Sequence, residues 1–367
     1  MLNAKIKRVL PGFNLNIELS LEHELMVILG PSGAGKTMTL LCIAGLTKPS
    51  EGYIELGGKV LFDSATGINL PPRKRRVGFV FQNYALFPHM TINENIAYSI
   101  RHLPKPERLD KVSWLLDMMN IGALSGRYPR QLSAGQQQRV AIARALAPDP
   151  EVLLFDEPFS ALDSQLRERL ELELLELQRA YKGSMLLVTH DLAEGYKLGT
   201  RVAIYHAGRI AQCDTRQNVF SSPADRTVAR LTGVRNLMDG EISRIESSCV
   251  FVQIPAWGLE LKALSPSGKE LSIGHQVTVG IRPEYVQITH AGNAENVINS
   301  SVLQAVESIT NITYRFKVDS DQQEQHLLNA SCPKTNDAML QSGEPCNLYL
   351  PPAHLIVIPE TTAAAET

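Results

Sequence analysis

An octapeptide, Gly30-Pro31-Ser32-Gly33-Ala34-Gly35-Lys36-Thr37, follows the apolar run Met26 to Leu29 and leads into an amphipathic segment from Lys36 to Ala44. A glycine-rich turn between a strand and a helix lets backbone N–H groups close around an anion, and the helix start adds its positive end. The arrangement suits the β- and γ-phosphates of a nucleotide, with Lys36 neutralising phosphate charge and the Thr37 hydroxyl able to ligate Mg²⁺. Strand, loop and helix in this order place the N-terminal region among α/β proteins.

Strand and helix patterns keep alternating downstream: Val77 to Phe81, Gln136 to Leu146, Val152 to Phe155, Leu166 to Tyr181, Met185 to Val188 and Val202 to Tyr205. Such repetition predicts a mostly parallel sheet covered by helices. Between Gln82 and Leu146 the pattern is helical, with turn signals at Pro88, Pro104, Pro106 and Pro129, which predicts a helical subdomain over about residues 83–147 inserted between two strands. After Gly233 come short alternating runs such as Cys249 to Ile254 and Val277 to Ile281, separated by Gly, Pro and Ser. They predict a second, small all-β domain over residues 234–359. It carries a repeat: Gly274 and Gly343 each precede a proline by nine residues, Pro283 and Pro352, and an apolar strand follows. Residues 360–367, ETTAAAET from Glu360 without its first neighbours' pattern, read as a disordered tail. A length of 367 residues exceeds one compact core and agrees with two domains.

The strand Val152-Leu153-Leu154-Phe155 ends in Asp156-Glu157. A buried strand carries carboxylates at its end where a cation or solvent awaits them. Asp156 is placed to hold Mg²⁺ through its water shell, and Glu157 to polarise or deprotonate the water that attacks a γ-phosphate. Met185-Leu186-Leu187-Val188 ends similarly at Thr189-His190-Asp191, so that His190 can reach the γ-phosphate at the edge of the sheet.

Composition removes several classes. No apolar run approaches the roughly 20 residues of a bilayer crossing, and the opening MLNAKIKRVLPG lacks the apolar stretch of a secretory signal, so the chain is expected in the cytoplasm. Cys42, Cys213, Cys249, Cys332 and Cys346 form no C-x-x-C pair, which argues against a zinc cluster or a disulfide scaffold. A net charge of −2 without a long basic block gives no footprint for nucleic acid.

Leu132-Ser133-Ala134-Gly135-Gln136-Gln137-Gln138-Arg139 opens a further helix and makes a second anion site in a chain with one nucleotide loop. With the phosphate loop, the acidic strand, Ser160-Ala161-Leu162-Asp163 and His190 in this order, the chain resembles the ATP-binding subunit of an ABC transporter. The resemblance implies a P-loop ABC ATPase domain over residues 1–233. It also implies a head-to-tail dimer of two copies, in which ATP held by one is covered by Ser133 and Gly135 of the other. Nucleotide contacts are then expected from Gly30, Pro31, Ser32, Gly33, Ala34, Gly35, Lys36, Thr37, Thr39, Ser133, Gly135, Gln136 and Asp163. Mg²⁺ is expected at Thr37, Gln82 and Asp156, and catalysis at Glu157, His190 and Gln82. Ala134 departs from the family's usual glycine. Phe13, before the loop, is the candidate for stacking on adenine.

Val80-Phe81-Gln82 resembles the family's Q-loop, and the segment after it implies contact with a membrane permease, through exposed Tyr84, Leu86 and Phe87. A substrate-binding protein is implied as an indirect partner, and the cytoplasmic face of the membrane as the place of action. The C-terminal domain resembles the oligonucleotide-binding-like regulatory domain of importers for oxyanions, sugars, polyamines and ferric iron. Segments Gly58 to Ser64 and Leu70 to Gln82 look most like molybdate importers, with sulfate importers next, although Leu350-Pro351-Pro352-Ala353-His354 replaces the lysine-containing ending of molybdate-binding domains. A regulatory oxyanion sensor is the alternative of another class, and it has no need of an intact Glu157 and Gln82.

Overall fold

The computed structural model describes residues 1–160, 162–266, 271–289, 295–319, 326–334 and 339–360. Ala161 and the expected tail beyond Glu360 lie outside them. The chain forms two compact units, Met1–Arg216 and Gln217–Thr367.

The first unit runs β1 (Leu2–Leu10), β2 (Phe13–Leu21), β3 (Leu25–Leu29), α1 (Lys36–Ala44), β4 (Glu51–Leu56), β5 (Lys59–Asp63), β6 (Ile68–Asn69), β7 (Val77–Val80), α2 (Ile92–Ala97), α3 (Lys105–Met118), α4 (Ala134–Leu146), β8 (Val152–Asp156), α5 (Ser164–Ala180), β9 (Ser184–Val188), α6 (Leu192–Leu198), β10 (Arg201–His206) and β11 (Arg209–Thr215). One sheet has the order β11-β10-β3-β9-β8-β7 and is parallel except for β11 at its edge. Every residue of β3, β8 and β9 is buried, as uninterrupted apolar runs covered on both faces require. Their register sets Ile28 beside Val188 and Val188 beside Asp156. Neighbouring strands therefore end level, and the segments that follow them meet at one edge of the sheet. Helices α2, α3 and α4 occupy the stretch between β7 and β8.

A second, antiparallel sheet, β2-β1-β4-β5-β6, is not part of the sequence expectation. Its signal is the two-residue period of β2, where Leu15, Ile17, Leu19 and Leu21 point inward and Asn16, Glu18 and Ser20 outward. The inward row joins Met26 and Ile28 of β3 and Leu40 and Ile43 of α1 in one core, which anchors the phosphate-loop helix.

Arg75 holds the other end of that helix. It is 1% exposed, and its guanidinium donates to Cys42 O (2.9 Å), Ile43 O (3.0 Å), Leu70 O (2.7 Å) and Asn69 Oδ1 (2.8 Å). A cation over the terminal carbonyls of α1 complements the negative end of the helix. Gly45 makes room: it adopts φ +76°, and a Cβ there would lie 2.4 Å from Arg75 Nε.

The second unit starts with two short helices, α7 (Arg216–Ser221) and α8 (Arg226–Leu231). It continues with β12 (Asn236–Ile245), β13 (Cys249–Ile254), β14 (Leu259–Leu264), β15 (Gln276–Ile281), β16 (Gln287–Thr289), β17 (Val297–Glu307), β18 (Asn311–Val318), β19 (Leu327–Pro333), β20 (Pro345–Tyr349) and β21 (Ile356–Pro359). Residues 217–233 belong with this unit, which moves the boundary upstream of the expected 233/234. The physical reason is local: Arg282 donates to Thr232 O and to Phe220 O (2.9 Å), and Ala229 and Val234 pack with Ile358.

The sequence repeat corresponds to two interlocked copies. Each copy places a 3-10 turn, Pro283–Tyr285 or Pro352–His354, between two strands. The sheets are β14-β13-β12-β15-β21 and β16-β20-β17-β18-β19, so the last strand of each copy pairs with the other copy, in the equivalent registers Gly280 with Ile356 and Tyr349 with Gln287. Tyr285 and His354, each third in its turn, stack with ring centroids 3.9 Å apart. Buried Asn236 brackets the backbone of Asn329, and buried Asn296 that of Lys262.

Replacing Arg75 by Met should remove the guanidinium donors from the carbonyls of Cys42, Ile43 and Leu70 and from Asn69 Oδ1, leaving Cys42 O only its bond from Gly45 N–H. A loss of about 3 kcal/mol or more is expected in chemical denaturation followed by far-UV circular dichroism. An unchanged midpoint for the first unit would contradict this role.

Candidate nucleotide site

The phosphate loop leaves β3 at Gly30 and enters α1 at Lys36. Pro31, Ser32, Gly33 and Thr37 are exposed along it, while Ala34 and Lys36 are buried beneath. Gly35, the N-cap, has φ +100°, and a Cβ there would meet Leu15 Cδ1 at 2.6 Å and Phe13 Cζ at 3.1 Å. Only glycine satisfies both the left-handed backbone and this contact. The same contact sets the Phe13 ring against the loop.

Lys36 Nζ donates to Gly30 O (2.7 Å) and Pro31 O (3.0 Å), so the ammonium sits under the loop mouth. Burial holds it below its ordinary pKa, and the charges of Glu157 and Asp156 oppose that shift. The Thr37 hydroxyl donates to Asp156 Oδ1 at 2.7 Å, joining the loop helix to the end of β8. Burial raises the Asp156 pKa above the usual carboxylate range, against the Thr37 bond. A hydroxyl and a carboxylate sharing one small space beside a phosphate loop are the hard oxygen donors that Mg²⁺ takes when it keeps most of its ligands as water and phosphate oxygens.

Glu157 follows with φ +46°, a strained backbone for a residue with a side chain. Its N–H donates to Val188 O (3.0 Å), and its carbonyl accepts from Ser160 Oγ (3.0 Å). Its carboxylate faces His190, with Oε2 3.3 Å from Nδ1. Gln82 Nε2 donates to Ser160 Oγ (3.3 Å). Ser160 therefore joins Gln82 to the backbone of Glu157. The sequence reading gave this serine no role of its own, though its position three residues after a strand-ending acid is that of a turn-closing hydroxyl.

Other expected residues fall differently. Thr39 is fully buried and donates to Gly35 O (3.1 Å), so it braces the first turn of α1 and offers no exposed atom to a ligand. Asp163 is the N-cap of α5, accepting from Leu166 N–H (3.0 Å). Ser133 and Gln136 close a reciprocal capping box at the start of α4. Gly135, the second residue of α4, is buried where a Cβ would lie 2.8 Å from Leu166. Among the described residues the bonds of Ser133 and Gln136 stay within their own cap and do not reach the phosphate loop.

The expected exposed patch of Tyr84, Leu86 and Phe87 is not one. Tyr84 is 6% exposed, and Leu86 and Phe87 are half-buried. Arg144 from α4 donates to Tyr84 O (2.9 Å) and Ala85 O (2.7 Å). Asn95 from α2 accepts from Phe87 N–H and donates to Phe87 O, Met90 O and Thr91 O. The ring of Phe87 packs on Tyr98 with centroids 4.5 Å apart. These side chains hold the segment into the helical region.

Phosphate loop, paired acids and facing histidine define a P-loop site built for nucleoside triphosphate. A protein-family model described as ABC transporter matches residues 14–160. The spermidine/putrescine import ATP-binding protein of Rubrobacter xylanophilus is 39% identical over 287 residues, covering 78% of this chain and 74% of the relative. The protein of that name from Pseudomonas fluorescens is 36% identical over 345 residues, 92% and 90%. The trehalose/maltose import ATP-binding protein of Thermococcus litoralis is 38% identical over 307 residues, 80% and 81%. A solved dimeric ATP-binding cassette, MJ0796 in a post-hydrolysis state bound to ADP and Pi, matches with a TM-score of 0.51 at 31% identity, covering 59% of this chain and 99% of that one. The chain belongs to the ABC transporter family, as one of its import ATP-binding proteins, and its fold is a P-loop ABC ATPase with an additional all-β unit.

Packing of the 84–87 segment yields a direct test. Tyr84→Ala should destabilise the isolated subunit by about 3–5 kcal/mol. Tyr84→Phe should be neutral or slightly stabilising, because the buried phenol oxygen has no hydrogen-bond partner. Thermal unfolding of both variants decides. An unaltered Tyr84→Ala melting curve would restore the exposed-patch reading.

Proposed function

We propose that this chain hydrolyses ATP to drive import through a separate membrane permease, acting as a head-to-tail pair at the cytoplasmic face of the membrane. The observation that carries the chemistry is the pair of short contacts across the sheet edge, Thr37 to Asp156 and Glu157 to His190. They bring a metal-type oxygen pair and an acid/base pair in front of one phosphate loop.

In this reading Mg²⁺ at Thr37 and Asp156 supplies charge neutralisation to the β- and γ-phosphates. Lys36 exchanges its loop carbonyls for phosphate oxygens. Glu157 accepts a proton from the attacking water, and His190, with Nδ1 3.3 Å from that carboxylate, flanks it on the side of the γ-phosphate. Gln82 reaches the same water through the position that Ser160 gives it. Phe13 flanks the adenine side. The start of α4, where Ser133 and Gln136 cap each other, offers its anion-binding end to the nucleotide of a second copy. Dimeric solved cassettes of 31% identity support that pairing.

The cargo reading rests on relatives. Polyamine import is proposed first, supported by the names of the two import proteins from Rubrobacter and Pseudomonas. Sugar import is second, supported by the Thermococcus protein at nearly equal identity. Molybdate, sulfate and ferric iron draw no support from these relatives. Among the described residues no helix is long and apolar enough to cross a membrane, and a permease as the membrane component agrees with that.

Glu157→Gln should bind ATP but hydrolyse it about 10²- to 10⁴-fold more slowly, accumulating as a nucleotide-bound dimer in size-exclusion chromatography. Ser133→Arg should bind ATP as a monomer and fail to dimerise around it. Near-normal turnover in Glu157→Gln would remove the acid/base assignment. A Ser133→Arg monomer with wild-type hydrolysis would remove the composite site.

A further inference from the structure

The contact between Glu157 and His190 joins two loops, the one after β8 and the one after β9. Behind it, a second side chain joins the same two loops. Arg167, on the first turns of α5, directs Nη2 at the carbonyl of Leu162 (3.5 Å) in the first loop and Nη1 at Asp191 Oδ2 (3.4 Å) in the second. Its Nε lies 3.8 Å from Glu194 Oε1, is buried, and has no hydrogen-bond partner.

The residues on either side of His190 lie in one polar cluster with that guanidinium. Asp191, the residue after it, caps α6 with Oδ1, accepting from Ala193 and Glu194 N–H, while its Oδ2 faces Arg167. Thr189, the residue before it, donates to Glu194 Oε2 (2.5 Å) and accepts from Asp191 N–H (3.1 Å). Glu194 is 5% exposed. Without Arg167 two carboxylates, Asp191 and Glu194, would face each other with one of them buried, and repulsion would shift the start of α6 and the imidazole in front of it.

We infer that Arg167 is a positioning residue that sets the separation of Glu157 and His190, by bracing the loop that ends at Leu162 against the loop that carries His190. The inference rests on the ATPase reading of the site. The contacts to Leu162, Asp191 and Glu194 measure 3.5, 3.4 and 3.8 Å, so the guanidinium spans the gap between the two loops.

The test is a double-mutant cycle on steady-state ATP hydrolysis with Arg167→Met and His190→Ala. Alone, Arg167→Met should lower kcat about tenfold or more and change KM for ATP less than twofold, and Arg167→Lys should recover most of the loss. In the His190→Ala background Arg167→Met should have less than a twofold further effect, because the histidine it positions is gone. Asp191→Asn keeps the helix cap, removes the charge that Arg167 meets, and should reproduce Arg167→Met. It replaces Arg167→Met in the cycle if that variant does not purify folded. Fully multiplicative effects in the cycle, or wild-type kcat in Arg167→Met and Asp191→Asn, would overturn the inference. Absence of hydrolysis by the wild-type protein would instead overturn the ATPase reading itself.

Discussion

A carboxylate at the end of a wholly buried strand needs a donor or a cation, and Asp156 meets this need with the hydroxyl of Thr37 at 2.7 Å. The bond ties the first turn of the phosphate-loop helix to the central sheet. Its geometry follows from the level ends of β3, β9 and β8, which in turn follow from three uninterrupted apolar runs pairing in parallel. Arg75 and the antiparallel sheet hold the helix from its far end and its flank. Lys36 and Thr37 are thus fixed from both directions before any nucleotide arrives, as preorganised electrostatic stabilisation requires.

From that fixed edge the site extends through single side chains. Ser160 links Gln82 to the strained backbone of Glu157, His190 meets the Glu157 carboxylate, and Arg167 spans the loops behind them. Each of these residues is followed in sequence by an element that leads away from the phosphate loop: Gln82 by the segment that Arg144 and Asn95 hold, His190 by α6, and Glu157 by α5. The second unit repeats the theme of interlocking in another form, two copies of a β unit exchanging their last strands.

What was legible in the sequence was what chemistry writes in short strings. The phosphate loop, Asp156-Glu157 and His190 could be placed because each sits at the end of an apolar run, and the end of a run is visible without knowing its neighbours. The Tyr84 segment was misread for the opposite reason. Its burial is decided by Arg144, sixty residues away, and by Asn95, and apolar side chains after a glutamine look alike whether they dock a partner or pack a subdomain. Thr39 and Asp163 have residue types suited to ligand contact, and residue type alone did not show their local bonds, Thr39 to Gly35 O under a fully buried side chain and Asp163 as the N-cap of α5. The domain boundary lay upstream of the composition change because Arg282, far along the chain, gathers residues 220 and 232 into the second unit.

In the proposed site Thr37 and Asp156 together form the seat of the divalent cation in front of the phosphate loop. Electron paramagnetic resonance of Mn²⁺, used in place of Mg²⁺, measures it directly in the full-length protein with ATP. Wild-type protein should bind one Mn²⁺ per chain in an ATP-dependent manner. Asp156→Asn should weaken that binding about tenfold or more, the effect of losing the anionic oxygen that holds the ion or its water shell, while metal-free ATP binding stays within about twofold because Lys36 and the loop are untouched. Mn²⁺ binding by Asp156→Asn at wild-type strength would contradict the account.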